Sequence, residues 1–178
     1  MKHAGPLEVE VKVRIPSTGT LAQRLAQAGF SLAHPAATEA NRLWDRAGEL
    51  LAQDCALRLR QYGERTTLTW KGAKVADPQL KIRPEVETLV ADLAAMESIL
   101  RALGFTPVLT MVKTRAIWTR GDLEACLDDT PYGSFLELEG SREAIAAAMA
   151  ELALDPRQIE PRSYAALYAS PAQGPERP

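Results

Sequence analysis

Like charges repeat at alternate positions in five places: Glu8/Glu10, Arg58/Arg60, Glu85/Glu87, Lys113/Arg115 and Glu137/Glu139. In an extended strand, residues two apart project from the same side, roughly 7 Å from each other. Each doublet therefore sets same-sign charge on one face, at a cost on the order of a few tenths of a kcal/mol per close pair. For any single strand, a solvated outer face is the simpler reading. Five doublets on different strands favour bound ions that offset the repulsion. Acid doublets present hard oxygen donors of the kind that hold Mg²⁺ or Mn²⁺. Base doublets offer planar guanidinium forks and compact ammonium charges, which suit phosphate oxygens. A polyphosphate carrying a divalent metal satisfies both sets.

These residues need strands to carry them. LEVEVKVRI (Leu7 to Ile15) alternates apolar and charged residues throughout, so Glu8, Glu10, Lys12 and Arg14 share a side. Further strands are expected from about Thr38 to Asp45, then Ala56 to Tyr62, Thr66 to Lys71, Leu80 to Val90, Val108 to Arg120, Leu123 to Asp128 and Ser134 to Glu139. In the Leu80 strand, Lys81, Arg83, Glu85 and Glu87 fall on one side, and Pro84 suggests an edge position or a bulge. Helices are expected over Thr20 to Phe30, from Leu93 behind an Asp92 cap to a stop at Gly104, and from Glu143 behind a Ser141 cap, with a short one near Tyr164. Trp70 and Trp118 fall opposite the charged faces and are expected in the core. Short turns join several neighbouring strands, which favours antiparallel pairing in an α+β protein. If the sheet closes with its charged faces inward, about eight strands would enclose a wet, polar channel.

Composition narrows the function classes. One domain is expected for 178 residues, 46% of them hydrophobic, covering residues 1–170 with a disordered tail at 171–178. A net charge of −2 and the lack of a basic run with interleaved aromatics argue against a nucleic-acid partner. No apolar run is long enough for a membrane span, and the N-terminus does not read as a secretory signal. Cys55 and Cys126 lack CxxC spacing and are expected as free thiols in a cytoplasmic protein. His3 and His34 sit in poorly patterned stretches, which disfavours a histidine zinc site or a Ser-His-Asp triad. KGAK around Lys71 is not a P-loop, because GxxxxGK[ST] is absent and no helix follows.

On these same residues the sequence resembles the CYTH family of triphosphate tunnel enzymes, which includes class IV adenylyl cyclases and thiamine triphosphatase. LEVEVKVRI looks like the family's ExExK signature, through Glu8, Glu10 and Lys12. ALRLR is similar to its paired arginines at Arg58 and Arg60, TLTWKG to its lysine at Lys71, and KIRPEVE to an element placing Arg83, Glu85 and Glu87. VKTR supplies Lys113 and Arg115, and LDDTPYGSFLELE supplies Asp128, Gly133, Glu137 and Glu139. EPRSYAAL looks like a closing motif of the cyclase-like branch. The second strand departs from the pattern, reading NRLWD where many relatives have an acid followed by Tyr or Phe before Asp.

The resemblance implies a closed antiparallel barrel with helices packed outside and a small-molecule triphosphate threaded through it. It implies phosphate contacts from Lys12, Arg58, Arg60, Lys71, Arg83, Lys113 and Arg115, and a Mg²⁺ or Mn²⁺ site among Glu8, Glu10, Asp128, Glu137 and Glu139. Glu8, Glu10 and Glu87 stand as catalytic candidates, and Arg162, beside Tyr164, as a closure for one end. Three activities follow in order: hydrolysis of inorganic triphosphate or a small organic triphosphate, cyclisation of ATP to cyclic AMP and pyrophosphate, and polyphosphate binding without catalysis. The oligomeric state stays open, a homodimer included.

Overall fold

The computed structural model describes residues 6–169. Eight strands close into one barrel in the order β1-β5-β4-β3-β2-β6-β7-β8. They are β1 (Leu7–Ile15), β2 (Ser31–Asp45), β3 (Ala56–Tyr62), β4 (Arg65–Lys71), β5 (Lys81–Leu89), β6 (Thr106–Arg120), β7 (Leu123–Thr130) and β8 (Gly133–Glu139). The helices are α1 (Thr18–Gln27), α2 (Glu49–Ala52), α3 (Leu93–Ala102), α4 (Arg142–Glu151) and α5 (Tyr164–Ala169), with a 3₁₀ turn at Pro156–Gln158. The architecture is the α+β closed antiparallel barrel with outer helices that the resemblance implied. The segment 171–178, expected as a disordered tail, lies outside the described residues, as does His3. Among the described residues no helix is long and apolar enough to cross a membrane.

The chain divides into two compact bodies, Met1–Glu10 with Ala37–Val112 and Val11–Ala36 with Lys113–Pro178. In the first, β3, β4 and β5 form a meander in which Arg58 opposes Thr69 and Thr69 opposes Glu87. At its two sides, β2 pairs with β3 (Asn41 to Arg60) and β1 pairs with β5 (Glu8 to Arg83, Glu10 to Lys81). The alternate residues form the apolar face. Trp44, Leu59 and Leu100 of α3 make its buried centre, with Leu57, Leu68 and Met96 against them. The Asp92 carboxylate caps α3 by accepting from the Ala95 N–H at 2.9 Å. Gly104 follows that helix at φ +84°, a left-handed stop that a side chain would strain.

In the second body, β6, β7 and β8 pair so that Arg115 opposes Asp128 and Cys126 opposes Glu137. Leu123, Ala125 and Leu127 of β7 and Leu136 and Leu138 of β8 form the buried apolar face, next to Leu21 and Leu25 of α1. Residues 159–164 cross the end of β1: Val13 bridges Ile159, and the Glu160 N–H donates to the Lys12 carbonyl at 2.8 Å.

Three expectations are corrected. β2 begins at Ser31, not near Thr38, because residues 31–36 are exposed and carry no apolar-inward pattern. Pro84 is not on an edge strand, since β5 pairs with β1 up to Pro84 and with β4 from Glu85 onward. It stands where one ladder hands over to the other, and its carbonyl accepts from the Gly72 N–H at 2.8 Å. The core tryptophan is Trp44, at 1% exposure, whereas Trp70 and Trp118 are half-buried. Cys55 and Cys126 are free thiols, as expected.

Candidate active site

Opposite each apolar face lies a charged one. In the first body, strand register makes it a chain of alternating signs. The Lys71 ammonium sits 2.8 Å from both Glu8 carboxylate oxygens and 2.5 Å from Glu85 Oε2. Lys81 pairs closely with Glu10. The Arg58 guanidinium reaches Glu85 at 3.9 Å and Glu87 at 3.7 Å, and donates to the Thr69 hydroxyl at 3.2 Å. Thr69 in turn donates to Glu87 Oε2 at 2.7 Å. Arg60 Nε donates to Asn41 Oδ1 at 3.3 Å and lies 3.6 Å from Glu39, which accepts from the Asn41 amide at 2.8 Å.

These contacts set the protonation preferences. Burial is the largest influence on Glu8, and together with the neighbouring Glu85 it carries the Glu8 pKa upward despite Lys71. Burial also pushes Glu85 and Glu87 up, but it is outweighed. A hydrogen bond from Glu8, then Lys71 and Arg58, hold Glu85 below the ordinary range. The Thr69 hydroxyl, Arg60 and Arg58 do the same for Glu87. Glu87 is therefore favoured as a carboxylate, 3.7 Å from the Arg58 guanidinium.

The second body is organised differently. Asp128, fully buried, accepts from Arg115 at 2.7 and 2.6 Å, from Lys113 at 2.9 Å and from the Tyr164 hydroxyl at 2.5 Å. Glu137 takes a further Arg115 donor at 2.5 Å and pairs with Lys12 at 3.3 Å. Lys12 also donates to the Arg162 carbonyl at 3.1 Å. Glu160 is gripped by Arg162 at 2.7 Å and by Arg14 at 2.8 Å. The Arg162 hydrogen bond, more than burial opposes it, holds the Glu160 carboxyl down at about 2.

Most of the expected residues join these two faces. Glu139 lies at the exposed end of β8, opposite Glu124. Arg83 is turned to structure: buried, it donates to the backbone carbonyls of Gly72 at 2.7 Å and Asp54 at 2.8 Å. A Cβ at Gly72 would meet the Trp70 ring at 2.9 Å, so a larger residue there would force the ring or the loop to shift. Asp45, the acid of NRLWD, accepts the N–H groups of Leu50 and Leu51 in α2. Sequence reasoning missed Glu39, at 1% exposure; it stands two residues before Asn41 on the same side of β2, and that alternation was its only signal.

Carboxylate oxygens are the donor type that a hard divalent cation takes. Glu8 and Glu85 already converge on one cationic centre, the Lys71 ammonium, with carboxylate oxygens alone. Among the described residues no three His, Cys, Asp or Glu are gathered as a ready metal cluster, because cations hold the carboxylates. Asp128 fits least well, since its two oxygens already take four donor contacts.

The CYTH domain model matches residues 6–164. A Methanocaldococcus jannaschii protein named "putative adenylate cyclase" is 34% identical over 136 residues, which is 76% of this chain and 77% of that one. Solved structures agree in fold. A Vibrio parahaemolyticus protein with the same description superposes at TM-score 0.80 and 20% identity, over 93% of this chain and 99% of that one. A Hippeastrum protein, described as a putative adenylyl cyclase with a dominant triphosphatase activity, gives TM-score 0.66 at 22% identity, over 90% and 94%. Family model, sequence relative and barrel architecture agree, and the chain belongs to the CYTH family.

Proposed function

We propose that the protein is a metal-dependent triphosphatase that cleaves the terminal phosphoanhydride of inorganic triphosphate or a small organic triphosphate. The observation that carries this reading is the burial of bases on charged faces: Lys12, Lys113 and Arg115 are each at most 7% exposed. Burying cations costs several kcal/mol apiece unless acidic groups offset it, and a triphosphate would add its oxygens to the carboxylates already beside them. Arg58, Arg60 and Lys71 of the first body and Lys12, Lys113 and Arg115 of the second are assigned to phosphate oxygens. In phosphoryl transfer the protein chiefly positions groups and neutralises developing charge, and these side chains are suited to both.

Glu8 and Glu10 are assigned to the metal, Mg²⁺ or Mn²⁺, with Glu137 and Glu139 as further carboxylates. Bound there, the ion would screen phosphate charge and acidify a water. Glu87 is assigned to orienting Arg58, and Arg83 to holding the loop around Gly72. Water as nucleophile needs no base-recognition pocket, so these residues suffice for hydrolysis. The second reading is cyclisation of ATP, which the name of the M. jannaschii relative and the EPRSYAAL motif favour.

One product analysis separates them. The purified protein with Mg²⁺ or Mn²⁺ is incubated with inorganic triphosphate, thiamine triphosphate and ATP. Orthophosphate release supports the proposal. Cyclic AMP with pyrophosphate and little orthophosphate replaces it with cyclisation. No product, together with a triphosphate-induced rise in melting temperature, leaves a binding module. Glu10→Gln is expected to cut turnover by about 100-fold or more while the fold survives. An unchanged rate removes Glu10 from the site.

A further inference from the structure

The Tyr164 ring stands next to two of the bases assigned to phosphate. The Lys12 ammonium lies 3.8 Å and the Lys113 ammonium 3.9 Å from its centroid, both within cation–π range. The ring is itself fixed. Its hydroxyl donates to Asp128 at 2.5 Å, and Phe135 packs edge-on at 5.7 Å between centroids. The helix that carries Tyr164 follows the 159–164 segment, anchored on β1 through the Lys12 carbonyl and through Arg14 to Glu160.

We propose that Tyr164 is a positioning residue for triphosphate, a neutral aromatic platform shared by the Lys12 and Lys113 ammonium groups. This rests on the triphosphate reading given above. Both ammonium groups also have acidic partners, Lys113 in Asp128 at 2.9 Å and Lys12 in Glu137 at 3.3 Å, and the ring adds a contact that does not compete with a polyanion for them. An aromatic face attracts each cation through its quadrupole and takes up no proton. Burial first, then Glu137 and Asp128, pushes the phenol well above its ordinary value, so it stays neutral across the working range.

The test compares wild type, Tyr164→Phe and Tyr164→Leu by calorimetric binding of inorganic triphosphate with Mg²⁺, by turnover, and by NMR of the lysine side chains. In Tyr164→Leu, Kd and KM should rise about tenfold while kcat stays within about threefold, and ring-shifted lysine ε-methylene resonances should vanish. Tyr164→Phe, which keeps the ring, should recover most of the affinity and the shifted resonances. Leu and Phe variants equal in affinity, or a Leu variant that binds more tightly than wild type, overturn the proposal. So does a Leu variant whose loss falls wholly on kcat. A wild type that binds neither inorganic triphosphate nor ATP removes the triphosphate reading itself and this inference with it; that failure shows in the wild type, the others only in the variants.

Discussion

The two charged faces solve the same electrostatic problem in different ways. In the first body, acids and bases alternate along a chain of separate contacts, and the bases keep some solvent: the side chains of Arg58 and Lys71 are 14% and 15% exposed. In the second, a single carboxylate at 0% exposure collects Lys113, Arg115 and Tyr164. The first is a set of exchangeable pairs, each with some solvent beside it. The second is a scaffold whose bases Lys113 and Arg115 share one buried counter-ion.

The largest expected effect is at Asp128. Asp128→Asn keeps the shape but leaves two buried cations without their shared counter-ion, at a cost of about 3–5 kcal/mol. Denaturant unfolding should show this as a lower midpoint at unchanged slope. A loss below about 1 kcal/mol would mean that the second face is as exchangeable as the first. Next comes Arg58→Gln in the first body. Its carboxylate partners stand at 3.7 and 3.9 Å, beyond good hydrogen-bond length, so stability should fall by less than about 1 kcal/mol. Triphosphate turnover should fall about 100-fold in kcat/KM, because the fork is assigned to phosphate. Activity within threefold of wild type would take Arg58 out of the site.

Much of this arrangement was legible in the sequence, for a physical reason. Alternation along β1, β3 and β5 is a direct readout of which face each residue takes, and β1 and β3 match the expected bounds, Leu7–Ile15 and Ala56–Tyr62. What alternation cannot encode is partner choice across strands. Arg83 has the parity of the charged face, yet its guanidinium goes to the backbone carbonyls of Gly72 and Asp54. Asp128 reads as one acid among several, and only strand register shows it opposite Arg115. The exposed start of β2 left no pattern at all, since neither of its faces is buried. Glu160 and Tyr164 lie in a segment too short and irregular for any period, and their importance comes from crossing β1 at a distance in sequence.

A smaller effect is expected from acid. The Glu160 carboxyl is held at about 2 against an ordinary value of 4.5. Its folded value is depressed, so its contribution is complete above about pH 4.5 and is lost as pH falls from there towards 2. Arg162, the chief partner, is 51% exposed, so screening reduces the contribution to on the order of 1–2 kcal/mol. Glu160→Gln should flatten that limb of the stability–pH curve and leave stability at pH 2 close to wild type. A variant that loses stability equally at pH 2 and pH 7 would show that Glu160 acts through packing.

The smallest effect tests whether the two bodies differ only in their charged faces. Each has a helix begun by the same device: Asp92 accepts the Ala95 N–H at 2.9 Å, and Ser141 the Ala144 N–H at 3.1 Å. Both caps are exposed, and neither belongs to a charged doublet. If scaffold rigidity belongs to the Asp128 cluster alone, Asp92→Ala and Ser141→Ala should each cost about 1 kcal/mol, and neither should move KM for triphosphate. Equal small losses, set against the unequal effects at Asp128 and Arg58, would place the contrast in the charge networks. A Ser141→Ala loss several times that of Asp92→Ala would instead mean that the whole second body unfolds as one brittle unit, and Asp128 would no longer be the cause of its rigidity.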